Sequence, residues 1–251
     1  MAVTGVPRAQ DELFDAERSA VTKYARLVVG RPGLAALIKY EAVVLLSQSV
    51  PGALGLALRK ALYPVVLGAC GRNVIFGQNV ALRHPHKIRL GDNVVVDDNC
   101  LLDAKGDTNR GITIGSGVFI GRSTILSCKN GEIDIGDDAN IGFNCEVFSA
   151  STVTIGSGTL LAAYSYLIGG DHDKSDMLTP LREQRRVSVG VHVGRDAWIG
   201  AGVRVLDGVS IGDRAVIGAN AVVREPVPAN AVAVGVPARI VSSAGEPPAD
   251  Q

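Results

Sequence analysis

Residues 193–223 read VGRDAWIGAGVRVLDGVSIGDRAVIGANAVV, and an aliphatic side chain falls on every sixth position: Val193, Ile199, Val205, Ile211, Ile217 and Val223. Glycine follows most of them. The same step upstream links Leu90, Val96 and Leu102, then Ile114, Ile120 and Leu126, then Ile135, Ile141 and Val147, then Ile155, Leu161 and Leu167. A short fixed period is the signature of a repeat architecture. Each unit reads as a short strand and a tight corner, with the aliphatic turned inward and glycine placed where a Cβ is costly. Three units close a triangular coil. Parallel stacking then pairs every strand with the coils above and below, leaving edges only at the two ends. A coil of this kind has no deep internal pocket, so chemistry is expected on its outer surface.

Composition agrees. Of 251 residues, 47% are hydrophobic but only 4% aromatic, so the core is built from small and branched aliphatics that suit thin stacked layers. The 30 glycines sit at fixed places in the repeat and signal turns. Lys+Arg and Asp+Glu are both 25, which removes the basic surplus a nucleic-acid binder needs. The four cysteines form no CxxC pair and no cluster with histidine. Cys100 and Cys145 lie two residues before Leu102 and Val147, which predicts small buried thiols. Free thiols and the lack of a cleavable signal sequence lead to the expectation of a cytoplasmic protein.

Three regions follow. Residues 1–71 form an N-terminal helical segment: 11–29 have helical spacing, ended by Gly30 and Pro32-Gly33, and further stretches cover about 34–48 and 53–67, with Pro64 as a kink. This segment is expected to cap the first coil. The alternative is an interfacial helix within 34–67, because Arg59 and Lys60 flank an apolar run, which would hold the protein at the inner face of the membrane. Residues 72–240 form the repeat domain, with an excursion at 168–190, and 241–251 form a flexible tail. Smaller surpluses interrupt the beat near 129–132 and 149–152, and a larger one at 104–110. The excursion holds Gly169-Gly170-Asp171-His172-Asp173 and the basic run Arg182, Arg185 and Arg186. A loop expelled from a strict solenoid is where function concentrates.

The stretch Asp196-Ala197-Trp198-Ile199-Gly200-Ala201-Gly202, its continuation through Ile211-Gly212-Asp213 and Ile217-Gly218-Ala219, and the closing Gly235-Val236-Pro237-Ala238-Arg239-Ile240 resemble the hexapeptide-repeat acyltransferases over about two-thirds of the chain. Within that family the sequence is most similar to the maltose/galactoside and colanic-acid-type O-acetyltransferases. The resemblance implies an all-β solenoid, a left-handed parallel β-helix of about seven coils, assembled as a homotrimer. It implies acetyl-CoA as acyl donor, no metal, and a saccharide or related hydroxylated acceptor, as in polysaccharide biosynthesis.

The resemblance implies that His172, in Asp171-His172-Asp173, takes the family's catalytic position. An imidazole is a suitable general base for the attacking hydroxyl at neutral pH, and a backbone N–H suffices for the oxyanion. Asp171 or Asp173 would orient the ring or contact the acceptor, together with Asn144 and Arg182. The resemblance assigns coenzyme A contacts to Trp198, the small positions Gly200, Ala201, Gly218 and Ala219, and the basic Arg224 and Arg239, with Arg214 secondary. The segment Arg224-Glu225-Pro226 departs from the Thr-Lys-Asp type of the sugar acetyltransferases.

Rival readings keep the scaffold: N-acetylation of an amino sugar, transfer of a longer acyl group, or a non-catalytic scaffold. The fold also serves zinc carbonic anhydrases, but His172 and His192 are split by a loop and no third histidine matches. His84 and His86 are expected to flank a turn fixed by Pro85.

Overall fold

The computed structural model describes residue 14, residues 16–172, residues 180 and 184, and residues 186–243, with only the backbone of 171, 172, 186 and 243. Three parallel sheets wrap one core. The first face starts at Ala69–Cys70 and ends at Ser210–Ile211. The second runs from Ile75–Phe76 to Ala231–Val234, and the third from Ala81–Arg83 to Val222–Val223. The chain visits the faces in that order, making seven full turns and part of an eighth. Register follows the repeat: Leu102 pairs with Leu126, and Leu126 with Val147, which in turn pairs with Leu167.

The strands are short because each needs only two residues, one out and one in. Trp198–Ile199 is typical, with the tryptophan exposed and the isoleucine buried. Every repeat aliphatic named above is almost completely buried. Each such burial contributes about 1.5–3 kcal/mol. The position two residues earlier is also inward. There Thr124 and Ser165 donate hydroxyl bonds to the Gly142 and Gly200 carbonyls (2.8 and 2.9 Å). Cys100 and Cys145 occupy the same layer, buried, with Sγ 3.2 and 3.1 Å from the Gly121 and Ala162 carbonyls. Burial pushes the Cys100 thiol up to about 11 and raises Cys145.

Two of the three corners are uniform. Between the first and second faces, Asn73, Asn93, Gly117, Asp138, Gly158, Asp196, Arg214 and Asn230 all have positive φ. Between the second and third, Asn79, Asn99, Ser123, Asn144, Tyr164, Gly202 and Asn220 do. Asn and Asp tolerate this left-handed conformation better than other side chains.

The third corner, from the third face back to the first, differs. Residues 84–87, 104–111, 129–131 and 150–151 fall there, as do 170–172 and 186–190, the described ends of the excursion. The surpluses that look scattered in sequence are thus stacked on one edge of the prism. Register shows their size: Val193 pairs with Ile211, but Ile155 pairs with Val193 across the excursion.

The helices are α1 (Ala20–Tyr24), α2 (Leu34–Val43) and α3 (Gly52–Leu62). Ser19 caps α1, accepting from the Thr22 amide. One π-type turn extends α1 to Val29 and another extends α2 to Gln48. A 3₁₀ turn at Tyr63–Val65 absorbs Pro64.

The helices cover the first coil. The Tyr40 and Tyr63 hydroxyls donate to the Leu82 and Val80 carbonyls (2.8 and 2.7 Å). The buried guanidinium of Arg59 donates to the carbonyls of Phe76, Ser47 and Val50. The bonds to Phe76, Val80 and Leu82 occupy carbonyls that a bare solenoid end would leave open. Leu34, Ile38, Leu45, Leu46 and Leu54 remain exposed, and among the described residues no helix is long and apolar enough to cross a membrane. At the far end Ala231–Val234 pairs antiparallel with Arg239–Ser243.

Candidate active site

The excursion leaves the third face after Tyr166–Gly169. Its first two residues past Gly170, Asp171 and His172, pair antiparallel with Val187 and Arg186. His172 therefore sits on a short hairpin rising from the irregular corner between the fifth and sixth turns. The root of the hairpin is tightly packed. A Cβ on Gly169 would lie 2.5 Å from Val153 Cγ2, and one on Gly170 2.9 Å from Ala150 Cβ and 3.2 Å from the Phe148 ring. Glycine is required at both positions because the backbone presses onto the coil below.

The returning strand is held on both sides. Ser188, buried, donates to the Gly169 carbonyl at 2.9 Å. The Asp207 carboxylate accepts from the amides of Val189 and Gly190 at 2.9 and 2.8 Å. Nothing in the repeat spacing marks Asp207 for this task. His192 follows two residues after Gly190, outward on the first face, with Nδ1 bonded to Thr154 Oγ1. Its imidazole is exposed beside the hairpin root. Asp173 and Arg182 lie outside the described residues, as do the side chains of Asp171 and His172.

The residues expected to hold the acyl donor lie elsewhere. Trp198 is 54% exposed on the second face, paired with Leu160 and Val216. Gly200-Ala201 and Gly218-Ala219 stack in register at the corner between second and third faces, where a Cβ on Gly200 would sit 2.7 Å from the Ala219 amide nitrogen. Arg239 pairs with Val234, whose side chain covers Gly218. These six residues form one continuous patch.

Arg224 is separate. It follows the last strand of the third face and lies 3.5 Å from Glu225. Arg214 donates to Asn230 Oδ1 at 2.7 Å. Asn144 is exposed at the second-to-third corner with φ 53°, two turns from Gly200 on the same edge. Its left-handed backbone is what that corner needs at every level. One chain thus gathers Trp198 with the small-residue corner, but it does not place His172 on the same face.

His84 and His86 flank Pro85: His84 is the residue before the 3₁₀ turn Pro85–Lys87, and His86 lies within it. His84 Nε2 lies 2.9 Å from the Arg26 carbonyl. Burial lowers the basicity of both rings. His86 falls to about 4, because the Arg31, His84 and Lys87 charges act in the same direction as burial. Among the described residues no group of three or more His, Cys, Asp or Glu side chains could hold a metal ion.

Comparison with known proteins agrees with the geometry. The bacterial transferase hexapeptide (six repeats) profile matches residues 190–225, and the hexapeptide repeat of succinyl-transferase matches 132–167. The chain is 32% identical over 149 residues to WbbJ of Escherichia coli, named for lipopolysaccharide biosynthesis O-acetyl transfer. That match covers 57% of this chain and 74% of WbbJ. It is 33% identical over 129 residues to the galactoside O-acetyltransferase of E. coli, covering 51% and 62%. A Mycobacterium tuberculosis protein named as an acetyltransferase is 33% identical over 132 residues, which is 53% of this chain but only 44% of that protein. Among solved structures, a variant of AntD, an N-acyltransferase from Bacillus cereus in complex with dTDP and coenzyme A, superposes with a TM-score of 0.53 at 23% identity. The superposition covers 78% of this chain and 91% of AntD, a likeness of fold. Two hexapeptide profiles, a parallel three-faced solenoid and a match spanning most of WbbJ make this chain a member of the hexapeptide-repeat acyltransferases.

Proposed function

We propose that the protein transfers an acetyl group from acetyl-CoA to a hydroxyl of a saccharide or related acceptor, with His172 as general base. The observation that carries this reading is the placement of His172 on a braced hairpin at the solenoid's largest interruption. Glycine packing, Ser188 and Asp207 fix its root. In the reaction the imidazole takes the hydroxyl proton as the oxygen attacks the thioester carbonyl. The tetrahedral intermediate then expels the coenzyme A thiolate, and the imidazolium supplies the proton that leaves it as a thiol. Such a base contributes about 10²–10⁴-fold in rate. An N–H donor aimed at the oxyanion adds to this.

The donor would lie along the patch of Trp198, Gly200, Ala201, Gly218, Ala219 and Arg239. Because that patch and His172 occupy different faces of one chain, the complete site forms between two copies, in keeping with a cyclic homotrimer. Acetyl transfer to oxygen is favoured by WbbJ and the galactoside enzyme, the relatives matched over most of their length.

The test is His172→Ala. It is expected to lower kcat about 10²–10⁴-fold, with the mass in sedimentation and the binding of coenzyme A unchanged. Turnover within a few-fold of the parent would remove His172 from the mechanism. A subunit mass by sedimentation equal to one chain would remove the shared site.

A further inference from the structure

Between the helical segment and the irregular corner lies a cleft of about 870 Å³ that the chemistry above does not use. Its volume is that of a small-molecule site. One wall is the α1–α2 region, where Val21 and Leu34 line the mouth and are 59% and 69% exposed. The other wall is the stacked corner, from the His84–Lys87 turn through the 105–107 loop to residues 127–130 and the ring of Phe148.

Positive charge predominates among the described residues that line the cleft: Arg31, Lys87 and Lys105 stand near one carboxylate, Asp107, and Arg26 and Lys129, which have interactions of their own, complete the lining. Lys87 donates to neutral acceptors, the Gly106 carbonyl and Asn109 Oδ1 (2.6 and 2.8 Å), so its charge is not cancelled there. Among the described residues Arg31 and Lys105 have no carboxylate partner. Burial is the main cause of the depressed basicity of His86, and the Arg31 and Lys87 charges beside it act in the same direction.

The far end of the cleft points at the reaction. Phe148 pairs in register with Ile168 on the next turn, and Gly170, two residues before His172, lies on the Phe148 ring. Three coil steps separate the Lys105 loop from Gly170. At a strand spacing of 4.7–4.9 Å, the basic end lies roughly 15 Å from the hairpin root.

We propose that this cleft binds the acyl acceptor, and that the acceptor is a phosphate-bearing saccharide with an apolar portion. Its phosphate meets Arg31, Lys87 and Lys105, its apolar part rests on Val21 and Leu34, and its reacting hydroxyl extends past Phe148 toward His172. Guanidinium and ammonium groups bind phosphate through short charge-assisted bonds. The two sources of such a ligand are a nucleoside diphosphate sugar and a lipid-linked sugar phosphate, and both present the same chemistry to the basic end. The assignment of this ligand as acceptor rests on the proposed function, but its binding does not.

The experiment is calorimetric titration of the full-length His172→Ala protein, in which binding is read without turnover. The probes are a nucleoside diphosphate hexose, a short-chain polyprenyl diphosphate sugar in detergent, and a neutral octyl glycoside. At least one charged probe is expected to bind more tightly than the neutral one. Adding Arg31→Ala and Lys105→Ala together is expected to weaken that binding about tenfold or more. Arg195→Ala, the loss of one positive charge at the corner between the first and second faces, is expected to leave it within twofold. Bound phosphate is also expected to raise the His86 pKa in a proton NMR titration. The tighter of the two charged probes identifies the source. The proposal is overturned if neither charged probe binds at millimolar concentration, if the neutral glycoside binds as well, or if affinity is unchanged in the Arg31→Ala/Lys105→Ala protein. An active His172→Ala protein would instead overturn the choice of base and leave the cleft standing.

Discussion

Two edges of the same prism follow opposite rules. The corner between the second and third faces repeats one conformation from Asn79 to Asn220, with a left-handed residue at each turn and neighbours at van der Waals contact. The corner between the third and first faces holds every insertion, from the His84–Lys87 turn to the 170–190 excursion. A left-handed corner stacked on identical corners has no room for an extra residue. One such addition would also shift the strand after it by one place and turn its buried side chains outward. The irregular corner escapes this constraint because its extra residues loop away before the next strand begins. Freed from the repeat, it can carry a base hairpin and one wall of a cleft.

The largest effect should come from exporting the irregularity. A single glycine inserted between Ala201 and Gly202 moves a tight corner out of register and is expected to abolish soluble folded protein. Two glycines between Asp107 and Thr108, on the permissive edge, should cost only about 0.2 kcal/mol in loop closure and lower Tm by about 1 °C or less. Equal losses in thermal unfolding would erase the distinction between the edges.

A smaller effect tests the left-handed corners individually. Asn99 has φ 59° and accepts an amide bond from Asn79. Asn99→Ala is expected to lose about 1–2 kcal/mol in denaturant titration, whereas Asn99→Gly should retain most of that because glycine has no Cβ to strain. If the two variants were equally destabilised, the side-chain bond and not the backbone would govern the corner.

The smallest effect concerns acid. His84 and His86 are held neutral in the folded protein, His86 down to about 4, whereas the unfolded chain titrates near 6.5. The unfolded state therefore takes up protons first. Stability from these rings is complete above about pH 6.5 and is lost as pH falls toward 4. A falling Tm across that window is expected, and His86→Gln should flatten the slope. An unaltered slope would assign the acid sensitivity to other groups.

Much of this could be read from the chain alone. The aliphatic step fixed which residues face inward, because a two-residue strand allows only one inward side chain and the next coil repeats it. Cys100 and Cys145 could be placed in the core on spacing alone. The site was legible only in part. The excursion and His172 stood out because they break a period. Asp207, Ser188 and Phe148 did not, since each occupies an ordinary position and acquires its task only from what is stacked beside it.

The sequence by itself thus determined the solenoid, its inward layers and the loop that carries the candidate base, since all three depend on contacts between residues one period apart. Only the tertiary structure decided that the interruptions share one edge, that the helices wall a basic cleft against it, and that His172 and Trp198 lie on different faces. Those relations join residues far apart in the chain, and they emerge only when unequal turns are stacked on a common core.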